Sequence, residues 1–306
     1  MAYYTGNFSS FAALKNSVET ALQANGWVLN GDGVLEKNGM YLRLTATTAE
    51  LLLRAGTGSA AGALTGAAPN GVKIMDFTGS PISFPATYDL HVYAGPDEVF
   101  LVVNYNGDKY QQLSWGKSNV QQIGGTGMWF SGSFQGSAAS SQNHLVYTNA
   151  DASYFGFVGP GIGMGCGLFA EDYGLASGCS YVHTGLDTTA WRRVGSGNGN
   201  LVGSGDLVAG LLQALPSTFN QNTVLLPLLV AQRRPSKGQT IVVDMVNARL
   251  CRNDNHLSGE IVEYGPDKWK VYPFHRKNAD VRNGVAWSTG ANHSGTFAYA
   301  IRYTGP

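Results

Sequence analysis

The residues that come closest to a ligand-binding motif are residues 56–61, with the sequence Gly-Thr-Gly-Ser-Ala-Ala. They match the dinucleotide-binding pattern G-x-G-x-x-A and follow a predicted strand. Asp76 lies downstream at the sequence separation that is typical of the acid that binds the ribose. That fold also needs a helix directly after the glycines, and Gly62, Gly66 and Pro69 disfavour one. We therefore predict a flexible glycine-rich loop here and no cofactor site.

Acidic and imidazole side chains occur in two further arrangements that could do chemistry. Asp254 and His256 are two residues apart, so on a strand they would share a face and could supply two ligands to a structural metal. Glu171 and Asp172 are adjacent acids, and paired carboxylates serve glycoside hydrolysis. The six histidines show no ligand spacing. We therefore predict ordinary polar loops at both places.

The three cysteines suggest no catalytic or metal site. Cys166 and His183 would form a thiol–imidazole pair, but nothing in their spacing supports one. Cys166 and Cys179 could instead form a disulfide across a loop, and Cys251 makes the number odd, which favours a reducing environment during assembly. His91 lies in an apolar β run and is expected to be half-buried or interfacial. Because the G-x-S-x-G, H-E-x-x-H and G-x-x-x-x-G-K patterns are also missing from the sequence, we assign no catalytic, cofactor-binding or metal-ligating residue.

The composition favours a protein that works in permanent contact with other subunits. Of 306 residues, 43% are hydrophobic but only 13% are charged, against about a quarter in typical globular proteins. The formal net charge is zero, so attraction to nucleic acid is not expected. The most basic stretch, residues 233–237, is predicted to be a solvated turn. The apolar run over residues 224–230 is too short to span a bilayer, and no signal peptide is evident.

Aromatic side chains are abundant, with 15 tyrosines and six tryptophans. We favour core packing and subunit contact over sugar stacking as their role. The tryptophans considered for these roles are Trp115, Trp129, Trp191, Trp269 and Trp287.

The clearest local pattern lies near the N-terminus. Ser9 or Ser10 can cap an amphipathic helix that begins at Phe11 and ends at Asn25-Gly26, and a hairpin over residues 27–35 follows at once. Strand patterns then recur over residues 40–54, 72–75, 88–105, 223–230, 240–247, 260–264, 268–273 and 296–303. The predicted fold class is therefore α+β and predominantly β: an N-terminal helix-plus-hairpin module, followed by β-rich sheets or a sandwich with long Gly/Ser-rich loops.

The domain organisation follows the change in composition along the chain. We predict an α+β module over residues 1–123 and a β-rich region over residues 124–306. The second region begins with irregular loops over residues 124–205, rich in glycine, serine and asparagine. A short helix near residues 206–215 follows, capped by Ser204 and ended by Pro216.

Several sequence blocks resemble virion proteins of tailed bacteriophages, in particular tail or baseplate components of phages that infect Gram-negative bacteria. The N-terminal blocks are residues 10–15 (SFAALK), 21–27 (ALQANGW) and 34–37 (VLEK). The central blocks are residues 84–88 (FPATY), 96–99 (PDEV), 104–105, 110–111 and 115–116, with His91. The C-terminal blocks are residues 265–273 (GPDKWKVYP), 276–278 (RKN), 293–297 (HSGTF) and 300–303 (AIRY).

This resemblance implies a non-enzymatic structural subunit, and no catalytic residue or cofactor is carried over from it. The expected partners are other tail or baseplate proteins and further copies of this chain, without nucleic acid or membrane insertion. The protein would be made in the host cytoplasm and reside in the virion tail. Two alternatives remain open. The first is a tail protein that binds a host receptor or surface glycan through exposed tryptophans, and the second is a polysaccharide or cell-wall hydrolase that uses Glu171 and Asp172.

Overall fold

A computed structural model gives the architecture of most of the chain. It describes residues 1–76, 81–120, 124–132, 180–194, 201–202, 219, 221–234, 238–280 and 294–306. The described part contains one helix and twenty strands, so the predominantly β prediction is confirmed.

The elements have the following bounds. The helix α1 spans Phe11–Ala24. The strands before residue 100 begin with β1 (Ala2–Phe8), β2 (Val28–Leu29), β3 (Val34–Lys37), β4 (Met40–Ala46), β5 (Glu50–Gly56), β6 (Gly58–Ala60), β7 (Ala63–Thr65), β8 (Val72–Met75), β9 (Ala86–Ala94) and β10 (Asp97–Tyr105). The later strands are β11 (Lys109–Lys117), β12 (Met128–Gly132), β13 (Tyr181–Thr184), β14 (Ala190–Arg193), β15 (Leu201–Val202), β16 (Leu226–Arg233), β17 (Gln239–Arg252), β18 (Ile261–Tyr264), β19 (Asp267–Pro273) and β20 (Phe297–Arg302).

These strands form three main sheets and one small hairpin. The central sheet has seven strands in the order β1-β9-β10-β11-β12-β13-β14. A six-stranded sheet has the order β15-β16-β17-β20-β19-β18, and a five-stranded sheet has the order β2-β3-β4-β5-β8. All named strand pairs are antiparallel. The division at residue 123 stays a prediction, and the central sheet includes strands from both sides of that position.

The two faces of the central sheet bury different cores. Leu90 on β9 packs in one cluster with Leu14 of α1 and Leu42 of the five-stranded sheet. Tyr93, on the opposite face of β9, packs in a second cluster with Tyr272 of the six-stranded sheet. Each fully buried large apolar side chain contributes about 1.5–3 kcal/mol to folding. The central sheet is thus the middle layer between two others.

The helix α1 is defined by local signals at both ends. Ser10 has extended backbone angles, and its Oγ accepts a hydrogen bond from Ala13 N at 3.1 Å. Asn25 follows the last helical residue, and Gly26 has a φ of 83°, a left-handed conformation that glycine adopts without strain. The buried face of the helix comprises Phe11, Leu14, Val18, Glu19, Ala21 and Leu22.

The glycine-rich segment after β5 differs from its prediction. Residues 58–65 form the antiparallel hairpin β6–β7, in which Gly58 pairs with Thr65 and Ala60 with Ala63. Ala61 and Gly62 turn the chain with positive φ angles of 46° and 87°. The prediction of a flexible loop was wrong because the small residues permit a tight turn between strands.

Other predicted features fall on residues that the structure does not describe. They are the helix near residues 206–215, the acids Glu171 and Asp172, the cysteines Cys166 and Cys179, and Trp287. Within the described ranges, no helix has the length and hydropathy needed to cross a bilayer.

Candidate functional site

Two charged side chains from distant strands meet where the central sheet faces the six-stranded sheet. Asp89 lies on β9 and Lys270 on β19, and Lys270 Nζ is 2.7 Å from Asp89 Oδ2. Because side chains alternate along a strand, Asp89 shares its face with His91, and Lys270 shares its face with Tyr272. The facing of two strands therefore brings four polar side chains together.

Two tyrosines complete the shell around the carboxylate of Asp89. Tyr3 on β1 donates its hydroxyl proton to Asp89 Oδ1 at 2.5 Å, and Tyr272 donates to Asp89 Oδ2 at 2.7 Å. Lys270 Nζ also donates to the Tyr3 hydroxyl at 3.0 Å. Both carboxylate oxygens of Asp89 therefore have donors from within the chain.

The Lys270 ammonium group is also surrounded by aromatic rings. It lies 5.3 Å from the ring centroid of Tyr3, 5.7 Å from that of Tyr272 and 5.9 Å from that of Tyr303. These distances are within the range at which a cation is attracted to a ring face. We call Tyr3, Asp89, His91, Lys270, Tyr272 and Tyr303 the Asp89 cluster.

The hydrogen bonds assign the tautomer of His91. Because Tyr272 uses its proton on Asp89, its oxygen accepts from His91 Nε2 at 2.9 Å, so the His91 proton is on Nε2. His91 Nδ1 is buried and has no partner among the described residues. Burial lowers the pKa of His91 to about 3, against the opposing attraction of Asp89. The imidazole is therefore neutral near pH 7.

The balance between burial and neighbouring charged or hydrogen-bonding groups also sets the pKa values of Asp89, Tyr3 and Tyr272. Burial alone would raise the pKa of Asp89, but the hydrogen bonds from Lys270 and Tyr3 outweigh burial and hold that pKa below its ordinary value. Burial and the Asp89 carboxylate raise the pKa values of Tyr3 and Tyr272. Asp89 is therefore a carboxylate, and the rings of Tyr3, His91 and Tyr272 are neutral.

This arrangement fits a clamp between sheets better than an acid–base site. A general base works best with a pKa near the working pH, and the pKa of His91 is far below it. The groups of the cluster bond to one another and come from β1, β9, β19 and the chain end after β20. Their combined effect is to fix the central sheet on the six-stranded sheet.

A second polar contact between the same two sheets involves an irregular part of β17. Pro227 pairs with Arg249, whereas its neighbour Leu228 pairs with Met245. Residues 246–248 of β17 therefore have no partner on β16 and form a bulge, which leaves backbone N–H groups available to another acceptor.

Glu98 of β10 accepts those N–H groups. Its Oε1 accepts from Val246 N at 3.0 Å, and its Oε2 accepts from Asn247 N at 2.9 Å and Asn247 Nδ2 at 2.8 Å. The side chain is buried, and burial raises the pKa of Glu98 to about 6 despite these three hydrogen bonds. We call this contact the Glu98 clamp.

The predicted metal pair of Asp254 and His256 has other partners. Arg252 Nε bonds to Asp254 Oδ2 at 2.7 Å, and both side chains are buried. His256 Nδ1 is 3.2 Å from Glu260 Oε1. Among the described residues, no three His, Cys, Asp or Glu side chains come together as a metal-ligand group.

The remaining sequence candidates are distributed as follows. His183 Nδ1 accepts a hydrogen bond from Thr126 N at 3.0 Å, and Cys166, which the sequence gave no reason to pair with it, lies outside the described residues. Arg234 Nη1, in the basic stretch, is 2.6 Å from Asp187 Oδ1. Trp191 is partly buried and donates through Nε1 to Gly66 O at 2.7 Å. Within the described ranges, the tryptophans in the core are Trp27, Trp115, Trp129 and Trp269.

Asp89, Lys270, Tyr272 and Glu98 were not predicted from the sequence as site residues. Asp89 and Tyr272 are 183 residues apart, so no local spacing joins them. One signal was available in the sequence: a charged residue interrupts the apolar alternation at an inward position of β9 and of β19. An inward charge on a strand needs a partner, although the sequence does not say which one.

No protein-family model and no curated protein matches this chain.

Proposed function

We propose that this protein is a non-enzymatic structural subunit of a bacteriophage tail or baseplate, and that it assembles through large subunit interfaces. Its partners are other tail or baseplate proteins and further copies of itself. In this proposal the helix and hairpin act as one N-terminal module, and the packed sheets act as a sandwich-like scaffold. The sequence blocks that resemble virion proteins support the proposal.

The observation that carries the proposal is the apolar edge of the six-stranded sheet. β18 is the last strand of that sheet, and Leu257, Ile261 and Tyr264 in and beside it are exposed. An edge strand presents unpaired backbone groups that can bond to another chain. Large apolar side chains beside such groups favour docking of a neighbouring subunit.

The distribution of charged groups also supports a structural role. Asp89, Glu98 and Asp254 all have hydrogen-bond donors from this chain. These acids hold layers or turns together and do not converge on an open cleft. That use of buried charge is expected where rigidity is required.

Substitution at the β18 edge tests the proposal. We expect Ile261→Lys to weaken self-association or association with other tail proteins by about tenfold or more, because it places a charge in an apolar contact. Light scattering and sedimentation measure the assembly state. Ile241→Lys is the matched control, because Ile241 is 44% exposed and Ile261 is 41% exposed.

Mass spectrometry of purified virions provides the second arm of this test. The proposal expects the chain among the tail proteins, at a fixed copy number relative to the major tail protein. A chain that remains monomeric and is missing from purified virions would contradict it. Equal effects of Ile261→Lys and Ile241→Lys would contradict the assignment of the contact to β18.

The described residues bear on one of the two alternative functions. The receptor- or glycan-binding hypothesis required exposed loop tryptophans, whereas Trp115, Trp129 and Trp269 lie in the core. The hydrolase hypothesis rests on Glu171 and Asp172, outside the described residues, and stays a prediction. Zymography with the double variant Glu171→Gln, Asp172→Asn tests it.

A further inference from the structure

A cleft of about 420 Å³ lies between α1 and the edge of the central sheet. Its volume is within the range of about 300–1,000 Å³ that is typical of small-molecule sites. Its lining includes Tyr4, Asn16, Ser17, Thr20, Ala24 and Tyr88.

Two tyrosines form the sheet side of the cleft. Tyr4 pairs with Leu90 and Gly6 pairs with Tyr88 in the β1–β9 register, so the two rings are diagonal neighbours on one face. A Cβ on Gly6 would lie 3.2 Å from the ring of Tyr88. The missing side chain at Gly6 therefore lets that ring lie close against the backbone of β1.

The Tyr4 hydroxyl is held in place and retains a proton to donate. Asn25 Nδ2 donates to the Tyr4 hydroxyl at 2.8 Å and to Ala21 O at 2.8 Å. The hydroxyl thus acts as an acceptor toward the protein. Its own proton is available to a ligand oxygen.

The helix side of the cleft supplies small polar groups. Asn16, Ser17 and Thr20 lie on one face of α1, at spacings of three and four residues. Their side chains make no hydrogen bond to other described residues, so an amide and two hydroxyls are available to a ligand. Ala24 also lines this side, and because its side chain is only a methyl group, the ring of a ligand has room beside it.

The absence of charged residues from the lining restricts the class of ligand that can bind. The lining contains no Asp, Glu, Lys or Arg, and the nearby Lys15 and Glu19 pair with each other at 2.8 Å. A phosphate or carboxylate would find no cation here, and a cation would find no carboxylate. The lining therefore suits a neutral ligand with one apolar face and several hydroxyl groups.

We propose that this cleft binds a neutral pyranose sugar. The apolar C–H face of the sugar stacks on Tyr4 or Tyr88, and its hydroxyls bond to Asn16, Ser17 and Thr20. This site goes beyond the structural role proposed above and does not depend on subunit assembly. It uses tyrosines and a helix face, not the loop tryptophans.

Saturation-transfer NMR with the full chain tests the proposal. The probes are methyl β-D-glucopyranoside, methyl β-D-galactopyranoside and methyl α-D-mannopyranoside, with glycerol as a ring-free polyol and D-glucuronate as a charged sugar. We expect saturation transfer to the C–H protons of at least one neutral glycoside, and a weaker or no signal from glycerol and glucuronate. No transfer to any neutral glycoside, or an equal signal from glycerol, would overturn the proposal.

Two variants locate the binding on the cleft. Ala24→Trp fills the cleft and is expected to abolish the signal, whereas Ala12→Trp, at an exposed position of α1 outside the lining, should leave it unchanged. Asn16→Ala keeps the cleft open and should weaken binding about fivefold through the loss of one hydrogen bond. Circular dichroism verifies that each variant is folded. Binding that survives Ala24→Trp, or that Ala12→Trp removes equally, would overturn the assignment.

Discussion

Lys270→Met is expected to lower the free energy of unfolding by about 2–3 kcal/mol, because it leaves the Asp89 carboxylate without its cation between two sheets. The expected loss is below that of a fully buried pair because the side chains of Lys270 and Asp89 are each 16% exposed. The hydrogen bonds from Tyr3 and Tyr272 remain in the variant and limit the loss further. Urea denaturation of the purified protein measures the change.

Lys268→Met on the same strand is the matched control. Lys268 Nζ is 3.6 Å from Glu263 Oε1, and these side chains are 57% and 75% exposed. Solvent-exposed pairs contribute about 0.2–1 kcal/mol, so the control should lose much less stability. Similar losses in the two variants would show that the Asp89 cluster is not a clamp.

Glu98→Ala is expected to cost about 3 kcal/mol or more. The change leaves the N–H groups of Val246 and Asn247 without their acceptor inside the protein, and each orphaned buried donor costs about 1–3 kcal/mol. Glu263→Ala, at an exposed position of β18, should change the stability by less than about 0.5 kcal/mol. A loss at Glu98 no larger than at Glu263 would contradict the Glu98 clamp.

The pH dependence of stability gives a separate test of Glu98. Burial raises its pKa in the folded protein from the ordinary value of 4.5 to about 6, so between these values the folded state binds more protons than the unfolded state. The contribution of Glu98 to stability is therefore fully present below pH 4.5 and is lost as the pH rises through 6. At 1.36 kcal/mol per pKa unit, the loss is roughly 2 kcal/mol.

The difference between the protein and its Glu98→Gln variant isolates this effect, because all other groups titrate alike in both. We expect the stability of the natural chain relative to the variant to fall between pH 4.5 and 7. Asn247 can adapt to the protonated acid, since its Oδ1 has no partner among the described residues and can accept the Glu98 proton. A difference that rises with pH, or stays constant, would contradict the raised pKa.

The predominantly β class could be predicted from the sequence because strand patterns depend on residues that are close together along the chain. β10 reads Asp-Glu-Val-Phe-Leu-Val-Val-Asn-Tyr, and its continuous apolar run matches a strand buried on both faces. The hairpin β6–β7 was missed for the opposite reason. Its residues are small, so they show neither a helical nor a strand period, and its turn depends on the φ angles of Ala61 and Gly62.

The Asp89 cluster and the Glu98 clamp depend on contacts that local sequence patterns do not determine. Any antiparallel pair of strands can form a ladder, so the alternation in β9 and β19 does not determine which sheets face each other. Asp89 meets Lys270, and Glu98 meets Asn247, only after the central sheet packs on the six-stranded sheet. The same holds for the cleft, where Tyr4 and Tyr88 become neighbours through the β1–β9 register.

By itself the sequence determined the strand-rich class, the low charge and the end signals of α1, since each depends on residues close together along the chain. The tertiary structure decided which charges are paired, which acid sits at the β17 bulge and which aromatic rings border a cleft. These features depend on contacts between residues as far as 267 positions apart, as for Tyr3 and Lys270. Packing energy selects such contacts over the whole molecule, and no short stretch of sequence specifies them.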